Sequence, residues 1–503
     1  MSTLQFLYDL LKSGLNFIVP VVLIGAGIFF LWVTKFVQIR MFPLALKRIF
    51  TARHDKIDDD INISSNQSFY TGLAQRIGIG NIAGVASAIT AGGPGAVFWM
   101  WFAAFLGMGS SFCESSIAQL YKTKNEKGEF VGGPAFYLAQ GLKMPRLGVL
   151  FSIFLAFTYG IAFNMMQANQ IAGTFEESFA FDPVYVGVAV TIISGAVIFS
   201  SLKFASRISG ILIAIVSILY IGLGTCVLVV NHENIGPAFK IIFTEAFNLE
   251  AGIGGLLGTA VMFGIKRGLF SNAAGMGADP NIAASAATRH PAEQGMTQMI
   301  GVFVDTFIVC TFTALIILTT GLWNTGQYDN AALTAVSINV TLGDWTKYAF
   351  AVLIFFIAFT SIISQFLYAL SGLKYFTQNK YAIFIFTIFV LVCVFLGSIV
   401  HADMVWDLSD VSMAGMTILN LFALVLLWKQ IRLIVNDYQR QLYKDKKHPW
   451  FDIYFNSDLY PELQDKIYHT SIWSRKLDEE ADDGIHKNEG YKLFGENDTN
   501  NHR

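Results

Sequence analysis

The sequence predicts an all-α polytopic membrane protein of eleven transmembrane helices, two of them discontinuous, and three observations carry that prediction. Of 503 residues, 54% are apolar and only 14% are charged, a balance typical of multi-span membrane proteins. Apolar runs of the roughly 20 residues needed to cross a bilayer occur eleven times. Two of those runs are interrupted by glycine-rich stretches. The formal net charge of −2 says nothing for nucleic acid. The cysteines Cys113, Cys226, Cys310 and Cys393 all lie within apolar runs with neither paired spacing nor a zinc pattern, so neither disulfides nor a metal site built on them is expected. No Ser-His-Asp, zinc-binding or phosphate-loop constellation is present, so neither an enzyme nor a cofactor is expected.

Taken in order, the runs cover roughly 16–35, 70–91, 94–118, 147–175, 183–201, 207–230, 252–288, 295–320, 347–372, 380–400 and 409–429. The first lacks a preceding basic stretch and a small-residue cleavage site, so it reads as a retained helix rather than a signal peptide. The second holds Gly78-Ile79-Gly80-Asn81. Each glycine weakens a helix by about 1 kcal/mol, and Asn81 suits the N-cap of a new half-helix from Ile82 to about Thr90. Its GxGxxxG spacing has no βαβ unit around it and is not a dinucleotide fingerprint. The seventh run is too long for one straight span and contains Phe270-Ser271-Asn272-Ala273-Ala274-Gly275-Met276-Gly277. Asp279 followed by Pro280 marks a fresh helix start, cap and then first-turn proline. Unwound backbone at membrane depth occurs only where it is buried in protein or lines a cavity, so two broken spans point to a transport site.

Lys and Arg concentrate in alternate loops. Arg40, Lys47, Arg48, Arg53, Lys56, Lys122, Lys124, Lys127, Lys143, Arg146, Lys203, Arg207, Arg289, Lys374 and Lys380 fall on one side, against Lys12 and Lys240 on the other, where the acids Glu176, Glu177, Asp182, Asp403 and Asp407 lie. The positive-inside rule makes the first set cytoplasmic, with the N-terminus outside and the C-terminus inside. With the first span set aside, ten remain as two groups of five, each opening on a broken segment. Five is odd, so the groups are inverted. The expected division is 1–69 for the extra helix and its loop, 70–230 and 231–429 for the repeats, and 430–503 for a cytoplasmic tail whose end, from Asp478, reads as disordered.

Ionisable residues inside spans are costly and are functional candidates by default. Arg76, Glu114, Lys266, Arg267 and Asp305 qualify as gating or coupling groups, with Glu114 or Asp305 as the expected ion-pair partners of the cations. Asp279 is expected to be an N-cap first. In the ninth run Thr360, Ser361, Ser364 and Gln365 set hydroxyls and an amide along one helix, oxygens that suit Na⁺. In the fourth, Asn164, Gln167, Asn169 and Gln170 read as interhelical hydrogen-bonding groups.

The stretches Gly78 to Ala86, Gly92 to Trp101, Gly132-Gly133-Pro134, Gly264 to Asn272 and Ala274 to Gly277 closely resemble the alanine/glycine:cation symporter family over residues 65 to 430. The resemblance implies a leucine-transporter-type fold of five plus five inverted helices and Na⁺-coupled import of alanine or glycine, with H⁺ in some members. It implies that Gly78, Ile79, Gly80, Asn81, Phe270, Ser271, Asn272, Gly275, Met276, Ser361 and Gln365 bind the amino acid. Thr360 and Ser361, with carbonyls of Ala74 and Ile77, would bind sodium. The chain departs from the family pattern at Ile79 (usually Thr), Ala273 (usually Glu) and Gln365 (usually Trp). The shorter Gln365 implies room for a larger or polar cargo as one alternative; a proton-coupled carrier and a transport-inactive amino-acid sensor are the others. The expected partners are a small neutral amino acid, Na⁺ and the bilayer of the cell or inner membrane, with no nucleic acid and no obligate protein partner.

Overall fold

The computed structural model describes residues 3–51, 62–200, 202–247, 256–328, 330–443, 449–451 and 470–473. The tail beyond 473, including the stretch from Asp478 expected to be disordered, lies outside the described residues, as do Arg53 and Lys56. The chain runs as α1 (Thr3–Thr34), α2 (Phe42–Thr51), α3 (Ser65–Arg76), α4 (Ala83–Gly92) and α5 (Ala96–Leu120). A short hairpin of β1 (Thr123–Lys124) and β2 (Phe130–Val131) precedes α6 (Pro145–Phe179), α7 (Pro183–Ile198), α8 (Leu202–Val230) and α9 (Ile235–Ala246). Then follow α10 (Leu256–Asn272), α11 (Asp279–Ala284), α12 (Pro291–Thr320), α13 (Asn330–Leu342), α14 (Trp345–Phe376), α15 (Lys380–Ile399), α16 (Ala402–Leu426) and α17 (Trp428–Tyr443).

Among the described residues eight helices are long and apolar enough to span a membrane. The second and seventh runs are split, into α3 and α4 and into α10 and α11, and the fifth is the 16-residue α7. The eleventh helix starts at Ala402 rather than near 409, because the polar residues Asp403 and Asp407 lie in its first turns. Large apolar side chains left bare on α7, α8 and α15, such as Ile192, Ile218 and Ile385, suit contact with acyl chains rather than water.

Both broken spans sit at the centre. α3 and α4 pack against α8, α14 and α10, while α10, α11 and α12 pack against α5. α6 and α12 each contain a π-helical stretch, Thr158–Ala162 and Phe303–Cys310, a distortion common at functional positions.

One end of the molecule is capped by loops. Ile63 pairs in parallel with Ala286, and the Ala287 N–H donates to the Ile63 carbonyl at 3.0 Å. The Phe130 N–H donates to Asn62 Oδ1 at 2.6 Å, and Lys122 Nζ donates to the Ala286 carbonyl at 3.0 Å. The Lys122 ammonium also lies 4.1 Å from the Phe130 ring and 4.8 Å from that of Trp473. Trp473 stacks edge-on against Phe451, which stacks on His290, and the Phe451 N–H donates to the Arg289 carbonyl.

Candidate substrate and cation site

The first break begins where α3 runs out at Arg76 and Gly78 takes an extended conformation. In a continuous helix the Ala74 carbonyl would accept from the Gly78 N–H and the Ile77 carbonyl from the Asn81 N–H. Both donors are diverted: the Gly78 N–H to Asn81 Oδ1 at 3.0 Å, and the Asn81 N–H to the Gly78 carbonyl at 3.2 Å. Two carbonyls therefore lose their helical partners. Ser361 Oγ of α14 lies 3.3 Å from the Ala74 oxygen and 3.5 Å from that of Ile77, and 3.0 Å from the Ile357 carbonyl. The Thr360 hydroxyl, one residue earlier, donates to the Ile357 carbonyl at 2.9 Å. Only hard oxygens meet here, three carbonyls and two hydroxyls, a donor set that fits a hard cation.

Asn81 is not the N-cap that its residue type suggests. Ile82 occupies that position without a side-chain cap, and the Asn81 amide is committed elsewhere. While its oxygen holds Gly78, its Nδ2 donates to Asp305 Oδ1 at 2.6 Å. Asp305, in the π stretch of α12, also accepts from Ser271 Oγ at 2.9 Å and Thr306 Oγ1 at 2.8 Å. One buried carboxylate thus ties the first unwound segment to the end of α10. The Ile79 N–H donates to Gln167 Oε1 at 3.3 Å, so one member of the polar cluster on α6 reaches the same segment.

The second break turns at Ala273, Gly275 and Gly277, with φ of 54°, 84° and 85°. Glycine adopts this left-handed region without steric penalty, whereas Ala273 does not. Asn272 Oδ1 accepts from the Ala274 N–H at 3.0 Å and its Nδ2 donates to Thr306 at 3.1 Å. Asp279 is the first residue of α11 rather than its cap, which is Ala278. The Asp279 carboxylate instead pairs with Arg76 and accepts from the Tyr368 hydroxyl at 3.0 Å, because a buried carboxylate finds more in a guanidinium than in backbone N–H groups.

The expected partners of the cations are corrected likewise. Arg76 meets Asp279, and donates to the Asn272 carbonyl and to Gln298 Oε1, both at 3.0 Å. Lys266 and Arg267 share Asp410, at 2.6 and 3.3 Å, rather than Glu114 or Asp305. Arg267 also lies 4.2 Å over the Trp406 ring, which packs on Phe270 at 5.2 Å.

The structure therefore gathers Gly78, Ile79, Gly80, Asn81, Phe270, Ser271 and Ser361 around one buried centre. A Cβ on Gly80 would come within 2.9 Å of the Phe270 ring, and one on Gly78 within 2.8 Å of Ser361 Oγ. Gly275 and Met276 turn the other way, Gly275 toward Glu114 and Asn420 and Met276 Sδ toward the Tyr159 hydroxyl. Gln365 is buried one turn beyond Ser361, and its Oε1 has no hydrogen-bond partner. Sequence reasoning did not single out Asp410, Trp406, Asn420 or Tyr368. Asp410 carried a signal, an acid at the edge of an apolar run, whereas the other three look like ordinary span residues.

Residues 1–453 match the sodium:alanine symporter family. The chain is 40% identical over 457 residues to an uncharacterized transporter of Haemophilus influenzae, covering 90% of this chain and 93% of that one. It is 37% identical to a probable sodium/glutamine symporter of Bacillus subtilis, GlnT (88% and 91% covered), and 38% identical to the sodium/alanine symporter AgcS of Methanococcus maripaludis (81% and 91% covered). Among solved structures, MhsT in complex with L-phenylalanine superposes with a TM-score of 0.55 at 14% identity, covering 75% of this chain and 99% of that one, which shows a fold of the leucine-transporter type. A multi-pass membrane transporter rather than an enzyme, the chain belongs to the sodium:alanine symporter family.

Proposed function

We propose that this protein imports a small neutral amino acid, alanine or glycine, together with Na⁺ by alternating access. The observation that carries the reading is the convergence of Ser361 Oγ on the Ala74 and Ile77 carbonyls, which the break itself strips of their helical partners. Thr360 and Ser361 with those carbonyls would hold the ion. The unwound Gly78 to Asn81 backbone, with Phe270 and Ser271, would hold the amino acid's carboxylate and amine. Asp305, bonded to Asn81 and Ser271, is then a coupling group, since whatever moves either unwound segment moves its carboxylate's donors. Two charged clusters serve as gates: Arg76 with Asp279 on one side, and Lys266 and Arg267 with Asp410 on the other. The working topology is eleven spans as an extra helix (1–69), two inverted five-helix repeats (70–230 and 231–429) and a cytoplasmic tail, with the N-terminus outside.

A second reading has its own support. The buried, unpartnered Gln365 Oε1 would suit a cargo whose side chain donates a hydrogen bond, and a relative at 37% identity is named a sodium/glutamine symporter. Uptake of labelled alanine, glycine, serine and glutamine into proteoliposomes, with an inward Na⁺ gradient and then a proton gradient alone, tests both. Sodium-driven alanine or glycine accumulation is expected. Preference for glutamine moves the second reading to the front, and accumulation of none of the four refutes the carrier.

A further inference from the structure

The charges buried around Arg76 do not balance. Its guanidinium pairs with Asp279, and its Nη2 also reaches Ser111 Oγ at 3.4 Å, one turn before Glu114 on α5. Asp279 and Glu114 are both fully buried, so one cation faces two carboxylates. Among the described residues Glu114 has no ion pair of its own.

Its two oxygens are instead both taken by donors. The Gly275 N–H donates to Oε1 at 3.3 Å and Asn420 Nδ2 to Oε2 at 2.8 Å. Asn420 is oriented from behind, since its Nδ2 also donates to the Gly275 carbonyl at 2.9 Å while its Oδ1 accepts from the Tyr137 hydroxyl. Glu114 thus grips Gly275 by its N–H directly and by its carbonyl through Asn420. An ionised carboxylate accepts at both oxygens, whereas a carboxylic acid must donate from one of them. Protonated Glu114 keeps lone pairs for both donors but holds them less strongly than the anion, and it gains an O–H that neither the Asn420 Nδ2 nor the Gly275 N–H can accept. The two protonation states therefore fit two positions of the second unwound segment.

We propose that Glu114 is a proton-binding site, ionised in the closed arrangement and protonated when the Gly275 segment lets go. The step is a proton transfer: one O–H bond of a hydronium ion breaks, leaving water, and one O–H bond forms on a carboxylate oxygen. The proton then acts as a ligand of the open arrangement and shifts the equilibrium toward it. The other ionisable groups facing Glu114 are Arg76 on α3, Asp279 on α11, Tyr137, Tyr159 on α6 and its neighbour Cys113. Arg76 is always charged and Asp279 keeps it as a partner, which leaves Glu114 as the uncompensated charge. This rests on the reading of the protein as an alternating-access carrier.

The test is exchange of labelled amino acid across proteoliposomes of the full chain, with equal pH on both sides from 5.5 to 8.5 and saturating Na⁺, using whichever of alanine, glycine, serine and glutamine the wild type moves. A wild type that moves none refutes the carrier reading; one that moves a cargo without pH dependence refutes only the proton site. The wild-type rate should follow a single protonation, changing by at most about tenfold per pH unit. Glu114→Gln should flatten the profile, and Glu114→Asp should keep it. Asn420→Ala removes a donor to the ionised form and should move the midpoint to higher pH. A wild-type profile in Glu114→Gln, or an unmoved midpoint in Asn420→Ala, overturns the proposal. If Glu114→Gln is inactive, the Asn420→Ala midpoint decides.

Discussion

At the scale of the residue, Asn81 does most to define the centre of the protein. Its oxygen replaces a helix carbonyl for Gly78, and its nitrogen holds Asp305. Asn81→Ala loses both bonds, one of them to a carboxylate, and bonds of that kind contribute about 1.5–3 kcal/mol. Uptake should fall by about tenfold or more, and Ser361→Ala should depress it as strongly; near-normal uptake in both variants would refute the placement of the site. Ala273 offers the opposite experiment. It holds a left-handed conformation that costs a non-glycine residue about 1–2 kcal/mol, so Ala273→Gly should raise the thermal midpoint of the purified protein. The break at Gly78 and Gly80 was legible because two glycines undermine a helix whatever surrounds them. The roles of Asn81 and Asp279 were not, since both are good caps by local preference and a distant partner, Asp305 or Arg76, decides what they do.

At the scale of the element, what matters is how closely broken helices approach. Gly80 faces the Phe270 ring and the Ser271 backbone, 2.9 and 3.1 Å from where a Cβ would stand, whereas Gly84, one turn on, leaves 3.9 Å. Gly80→Ala must push the end of α10 aside, an overpacking that costs about 1–3 kcal/mol. Gly84→Ala needs no movement. Uptake assays should find the first severely impaired and the second close to wild type; equal behaviour would mean that the two segments are not in register. Asp410 pairs with both Lys266 and Arg267, so Asp410→Asn removes a carboxylate that two buried cations share. A loss of about 3–5 kcal/mol is expected from breaking such a cluster, read as a lowered melting temperature and lost uptake. The succession of apolar helices and the places where two of them break were readable from hydropathy and glycine spacing, because each span must bury or expose its own length to lipid. Which cation met which carboxylate was not, because ion pairs between spans depend on packing that periodicity does not encode.

At the scale of the whole molecule, the loop-capped end joins spans that are far apart in sequence. His290 caps α12, its Nδ1 accepting from the Ala292 N–H at 3.1 Å while its other nitrogen faces Asp437 of α17 at 3.2 Å. A neutral imidazole satisfies both contacts, but a protonated one sets a donor against Ala292. Burial, reinforced by Arg48 and only partly opposed by Asp437, holds the imidazole below its ordinary range. The folded state therefore binds fewer protons here than the unfolded one, so stability falls as pH drops below about 6.5, the unfolded value. Melting in detergent between pH 5 and 8 should show that slope, and His290→Gln should reduce it. The same end carries a practical consequence. The family match stops at 453, yet Trp473 lies beyond it and covers one face of the Lys122 ammonium and one edge of Phe451. A chain shortened at that boundary for crystallisation would bare an aromatic ring and a cation together, so trimming should yield a less monodisperse preparation than the full length.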